Sequence, residues 1–265
     1  MFVLLVSLLL NLSTTFACDF QNEIKSVYSL SGPVTLAFQD LKLLQNKKLL
    51  GISIFHPIAK KDFSGKFLPG GLFLSHETIK SFSGSVLFYD ESRELSKIIA
   101  NYKDIKAVEI KNRTMTPPQV VKDLAIQLKT YLSGCDLKEI EKSLDLKLAK
   151  LKKMIRKKTH YLFFLGQIRG ERLPEMLMVS DGVVKWMKDE KLIQTYPSEL
   201  PYVNWSPKIL NELPRETYRI GLKDSGNSME IKLERKQNII NLTYPGAFIP
   251  GRGQVDAMIY FFADL

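Results

Sequence analysis

Residues 136–158, DLKEIEKSLDLKLAKLKKMIRKK, constrain the fold more than any other stretch of this chain. Leu137, Ile140, Leu144, Leu148, Leu151 and Ile155 recur at steps of three and four, which places them on one stripe of an α-helix. Asp136 stands ahead of the pattern with Glu139 three residues on, much as in a capping box, where a side-chain oxygen accepts from backbone N–H groups and the glutamate reaches back. Lys150, Lys152, Lys153, Arg156, Lys157 and Lys158 gather where a helix dipole is negative, and neither Pro nor Gly interrupts the span. At about 1.5 Å per residue the predicted helix is about 35 Å long, close to the width of a small domain. Each Leu or Ile that it buries contributes about 1.5–3 kcal/mol, so the stripe must face apolar surface. Taken alone, it is either a core helix of one domain or a strut between two.

The rest of the 265-residue chain, 45% hydrophobic and 25% charged, has the balance of a soluble globular protein of one or two domains. Its first seventeen residues carry no charged side chain, and the apolar run from Phe2 to Leu12 is too short to cross a bilayer. With Thr15 and Ala17 as small residues at the cleavage spacing, residues 1–17 read as a secretory signal, although the usual Lys or Arg ahead of the apolar run is absent. The expected location is therefore periplasmic or extracytoplasmic. Two cysteines occur, Cys18 and Cys135. Cys18 directly follows the cleavage point, which raises a lipid anchor, but Phe16 suits that processing poorly. An exported pair can instead close a disulfide, and two unrelated thiols are the third reading. The net charge of +10 favours anionic surfaces or ligands in general, yet the lysines are spread over helix faces without a nucleic-acid motif, so no nucleic-acid partner is expected.

Ahead of the long helix, strands are predicted at 26–31, 49–55, 85–89 and 107–110, alternating with helices after Gly32-Pro33, at Ser75, at 91–101 and from Thr116-Pro117-Pro118 to Leu132. After it the pattern restarts, with strands at 160–165, 217–222 and 238–243 and helices at 180–188, 206–213 and 252–264. Buried, non-alternating strands between helices argue for parallel sheets flanked by helices.

The segments SLSGPVTLAF (29–38), LLGISIF (49–55), GGLFLSHETI (70–79), SVLFYDES (85–92), YVNWSPKIL (202–210), NIINLTYPGAF (238–248) and PGRGQVDAM (250–258) add a further constraint. In their order and spacing they resemble the periplasmic substrate-binding proteins with a helical backbone. These serve ABC importers for cobalamin, ferric siderophores, heme and some metals, and the pattern is most similar to the cobalamin-binding branch. The resemblance implies an α/β fold of two lobes, each a small mainly parallel sheet flanked by helices: residues 18–135, the connecting helix 136–158, and residues 159–265. It also implies a monomeric, non-enzymatic protein with no cofactor of its own. Its partners would be an ABC permease and a small-molecule cargo, cobalamin-like or a ferric chelate. Glu77 falls where the N-terminal lobe's permease-docking glutamate stands, and an ordinary first-turn glutamate would look the same. No acidic residue occupies the corresponding place near Phe248 and Ile249.

Open parallel sheets bind ligands at the C-terminal ends of their strands. That rule selects Ser31, His56, Tyr89, Asp90, Gln167, Arg169, Tyr244 and Phe248 as ligand contacts, the aromatics for a flat macrocycle and Arg169 for a carboxylate or phosphate. Lobe packing is the competing role for Tyr89, Tyr244 and Phe248. The three histidines, His56, His76 and His160, form no metal pattern with acidic neighbours, so no metal site is expected and a divalent-metal carrier stands only as an alternative. No catalytic motif appears; Ser53 and His56 imitate half of a nucleophilic pair, which keeps an exported hydrolase as the other alternative.

Overall fold

The computed structural model describes residues 18–70, 73–112, 114–155, 159–169, 172–174, 176–198, 200–204, 206–211 and 213–265. The expected signal and residues 156–158 of the expected strut lie outside the described residues. The first lobe runs β1 (Asp19–Phe20), β2 (Val27–Ser29), α1 (Gly32–Asp40), β3 (Leu49–Ser53), β4 (Lys66–Leu68), α2 (His76–Lys80), β5 (Val86–Asp90), α3 (Arg93–Ile99), β6 (Lys106–Ile110), α4 (Pro117–Leu128) and β7 (Leu132–Ser133). The connecting helix α5 (Lys138–Met154) follows. The second lobe runs β8 (Tyr161–Leu165), β9 (Met176–Met178), α6 (Gly182–Asp189), β10 (Tyr202–Asn204), α7 (Pro207–Asn211), β11 (Tyr218–Asp224), β12 (Lys232–Lys236), β13 (Ile239–Tyr244) and α8 (Arg252–Ala263).

The two sheets are separate. The first has the order β4-β3-β2-β5-β6 and is parallel throughout. The second has the order β10-β9-β8-β11-β13-β12, in which β8, β11 and β13 are parallel, β9 and β12 pair antiparallel with β8 and β13, and β10 pairs antiparallel with β9. The second sheet is thus parallel only at its centre. Strand periodicity divides each sheet into two buried faces. In β5, Val86 and Phe88 point into one apolar cluster while Leu87 and Tyr89 point into another; in β8, Tyr161 and Phe163 face the first of these and Leu162 and Phe164 a third.

That first cluster is continuous across both lobes. It takes in Val27, Ile52 and Phe88 from the first sheet, Phe163, Ile220 and Leu242 from the second, and Ile140, Leu144, Leu148 and Leu151 from α5 between them. Helices α1, α4, α5, α6 and α8 pack on one another as a shared layer. Polar contacts cross the same layer. Arg252 of α8 pairs with Asp40 of α1, bonds the Leu36 carbonyl at 3.3 Å, and reaches Asp256 at 3.3 Å, and Asp256 also pairs with Lys147 of α5. Burial pushes the Asp40 carboxyl up while Arg252 draws it down, so this half-buried carboxylate depends on its cation.

The connecting helix is shorter than the sequence pattern suggested, 17 residues and about 25 Å. Asp136 Oδ1 accepts from the Lys138 N–H at 3.1 Å, but Leu137 holds the cap position and Glu139 does not reach back. At the far end Ile155 is already extended, with ψ 123°, yet it is buried in the same cluster. The apolar stripe therefore outlasts the helix. Cys18 and Cys135 form a disulfide, which closes a sequence separation of 117 residues beside the β1–β7 ribbon. A loop of that length restricts the unfolded chain by about 4–5 kcal/mol in the entropic account. With its sulfur so bonded, Cys18 has no thiol for a lipid.

Leu148 is buried in the shared layer and Leu146, two residues away, is 67% exposed. Leu148→Ala is expected to lower the unfolding free energy by about 2–5 kcal/mol, and Leu146→Ala to change it by less than about 0.5 kcal/mol, measured by urea denaturation.

Candidate functional site

Loops that leave the C-terminal ends of parallel strands have no sheet to cover them, and here such loops from both lobes face one another. They enclose a cavity of about 700 Å³. The first lobe supplies Ser53–His56 after β3, Gly70 after β4 and Tyr89–Ser92 after β5; the second supplies Asp224–Asn227 after β11 and Phe248–Pro250 after β13. The lobes already meet at its edge. Asn227 donates its backbone N–H to the Ile54 carbonyl at 3.3 Å. Gly226 has φ +53° and lies so close that an added Cβ would stand 3.3 Å from Phe55 Cα, while one on Gly32 would strike Ile249 at 2.8 Å. Much of the cavity is apolar, with Leu30, Ile54, Leu95 and Ile249 behind two open rings, Phe55 at 52% and Phe248 at 39% exposure. A ring left open on each side of a cavity is apolar surface awaiting a partner.

Two aspartates set the loops. Asp90 ends β5 and accepts from Ser31 Oγ at 2.6 Å, Asn112 Nδ2 at 2.8 Å and the Gly32 N–H at 3.4 Å. Asp224 ends β11 and accepts from the N–H groups of Gly226 at 2.7 Å, Gly246 at 3.0 Å and Phe248 at 3.2 Å. Neither makes an ion pair with a described residue. Burial outweighs the three donors at Asp90 and raises its carboxyl from 3.8 to about 6. His56 is 4% exposed with Nδ1 unpartnered, and burial lowers its imidazole from 6.5 to about 3 against a hydrogen bond to the Leu30 backbone.

Of the residues expected from sequence, His56, Tyr89, Asp90 and Phe248 line the cavity. Ser31 is fully buried behind it and acts through Asp90. Gln167, Arg169 and Tyr244 are not among its lining, and each departs for a local reason. Gln167 Nε2 donates to Thr243 Oγ1 at 3.1 Å, and the Asn241 amide holds both backbone groups of Ile168, at 2.7 and 2.8 Å, against β13. Arg169 then pairs in a short antiparallel bridge with Arg172 and is exposed. Tyr244 shares the face of Ile240 and Leu242 and packs on Tyr260, ring centres 5.6 Å apart. Glu77 is exposed on α2, away from the cavity, where backbone and Ser75 hydrogen bonds lower its carboxyl. Phe55, Glu91, Glu94, Asp224 and Asn227 are lining residues that the strand-end rule did not select. Among the described residues, no group of three or more His, Cys, Asp or Glu side chains is placed to hold a metal ion. Ser53 Oγ accepts from the Phe55 N–H at 3.2 Å.

The fold is that of the periplasmic binding proteins of ABC importers. The periplasmic heme-binding protein HutB of Vibrio cholerae superposes with a TM-score of 0.63 at 11% identity, over 90% of this chain and 97% of that one. The periplasmic vitamin B12-binding protein BtuF of Vibrio cholerae gives 0.62 at 11% identity, over 91% and 97%. The iron uptake ABC transporter substrate-binding protein PiaA of Streptococcus pneumoniae gives 0.56 at 11% identity, over 94% and 97%. The likeness is thus shared among proteins named for three cargoes and does not single out cobalamin. No family model and no curated protein matches the sequence.

Between about pH 4 and 6 the unfolded chain binds one proton more at His56, and the folded chain binds one more at Asp90. The His56 contribution to stability is complete above 6.5 and lost as pH falls; that of neutral Asp90 is complete below 3.8 and lost as pH rises to 6. The two slopes oppose one another in the wild type. In urea melts across this range, Asp90→Asn is expected to gain stability with rising pH relative to wild type, by about 1.4 kcal/mol per pH unit, and His56→Asn to lose it at a similar rate.

Proposed function

We propose that this chain is the exported binding component of an ABC importer, which holds a cobalamin-like or ferric-chelate cargo between its lobes and delivers it to a permease. The observation that carries this reading is the cavity itself, built jointly by the strand-end loops of both lobes. Its volume of about 700 Å³ falls in the range of small-molecule sites. The cargoes for which the similar structures are named support the ligand class. The periplasmic location of HutB and BtuF and the disulfide, which needs an oxidising compartment, support the location. Exposed Glu77 on α2 is the docking contact offered to the permease by the first lobe.

Turnover has little support. An imidazole lowered to about 3 is a poor general base at neutral pH, and Ser53 Oγ is engaged by backbone. Titration calorimetry against cobalamin, heme and ferric siderophores tests the reading. One of these is expected to bind with one-to-one stoichiometry, and Phe55→Ala and Phe248→Ala each to weaken it by about tenfold to a hundredfold, the equivalent of one buried ring. Ester or phosphate hydrolysis that disappears in His56→Ala, with no binding of any of the three, would replace the carrier with an enzyme.

A further inference from the structure

The charge inside the cleft opposes the charge of the chain. The sequence carries +10, yet the described lining residues include Asp90, Glu91, Glu94 and Asp224 and no Lys or Arg. The two aspartates are consumed by the loops, each accepting three hydrogen bonds. Glu91 and Glu94 are different. Neither side chain makes a hydrogen bond or ion pair with a described residue, and both stand beside the cavity at the start of α3. Glu94 has an ordinary reason to be in a first helical turn; that reason does not account for Glu91, or for the want of a Lys or Arg among the described lining residues. A second feature points to an occupant: the open rings of Phe55 and Phe248 border the same space.

A ligand that fills the cavity covers those rings and takes Glu91 and Glu94 partly out of water. For an anionic ligand this adds repulsion to desolvation, with no Lys or Arg among the described lining residues to relieve it. For a cationic ligand the same carboxylates become partners and attract it from a distance. We propose that the cleft selects a cationic cargo, a chelate or corrinoid whose positive group lies against Glu91 and Glu94 while its apolar face covers Phe55 and Phe248, and that it rejects polyanionic chelates. This rests on the binding-protein reading above and adds the sign of the ligand's charge to it.

Matched ligands separate the two ideas. Ferrioxamine B, a cation, is compared with its anionic N-succinyl derivative, and aquocobalamin, a cation, with the same corrinoid after side-chain amides are hydrolysed to carboxylates; heme is the dianionic control. Dissociation constants are measured by calorimetry in 20 mM and 500 mM NaCl. On whichever scaffold binds, the cation is expected to bind about tenfold or more tighter at low salt, with the gap narrowing at high salt. The double variant Glu91→Gln, Glu94→Gln should close most of that gap, and a circular dichroism spectrum and melting temperature like the wild type's establish that it is folded. Equal or tighter binding of the anion, or binding of heme alone, overturns the charge selection and leaves the carrier standing. Binding of none of the five overturns the carrier reading itself.

Discussion

The structure depends on an apolar layer that belongs to neither lobe. Ile140, Leu144, Leu148 and Leu151 on one stripe of α5 are buried together with residues from both sheets. Each sheet needs cover on two faces because its central strands are apolar on both sides. The outer faces are covered within each lobe, by clusters around Leu87 and Phe82 and around Phe164 and Leu177. The inner faces are covered by the same group of helices, so neither lobe can turn far without exposing part of that layer. The pairing of Arg252 with Asp40 and Asp256 adds direction to what is otherwise undirected packing.

The cleft follows from that arrangement. With two sheets fixed to one helical layer, their strand-end loops converge on a common space, and the fit at Gly226, Gly32 and Ile249 brings its two walls together. Asp90 and Asp224 perform one task in two lobes: each ends a strand and collects three donors from the turns around it. Carboxylates spent in this way shape the site. Those left over, Glu91 and Glu94, are the ones available to meet a ligand.

Much of this was legible in the sequence, and the failures have identifiable causes. The stripe of α5 and the restart of the strand–helix pattern after it were plain, because burial on one face imposes a period that a single sequence displays. The ends of α5 were not, since Ile155 goes on filling the core after its backbone has become extended. Strands β9, β10 and β12 escaped notice: three-residue segments such as MLM and an exposed KLERK are strands only because a neighbour pairs with them. The site was half legible for a related reason. Reading β11 as ending at Leu222 hid Asp224, which is its true last residue, and reading 49–55 as one strand hid Phe55, which lies in the loop. Gln167, Arg169 and Tyr244 satisfied the strand-end rule and were drawn elsewhere by Thr243, Arg172 and Tyr260, contacts that no local pattern announces.

If the two lobes share one core, they must unfold together. Trp186 lies on α6 in the shared layer and Trp205 follows it in sequence, so tryptophan fluorescence follows that layer and the chain after the connecting helix, while far-ultraviolet circular dichroism follows the whole chain. Urea unfolding recorded by both probes is the direct measurement. The account requires superimposable curves with a single midpoint; a fluorescence transition that is complete while a large part of the dichroism remains would show that the lobes stand independently, and that the layer around α5 does not hold them.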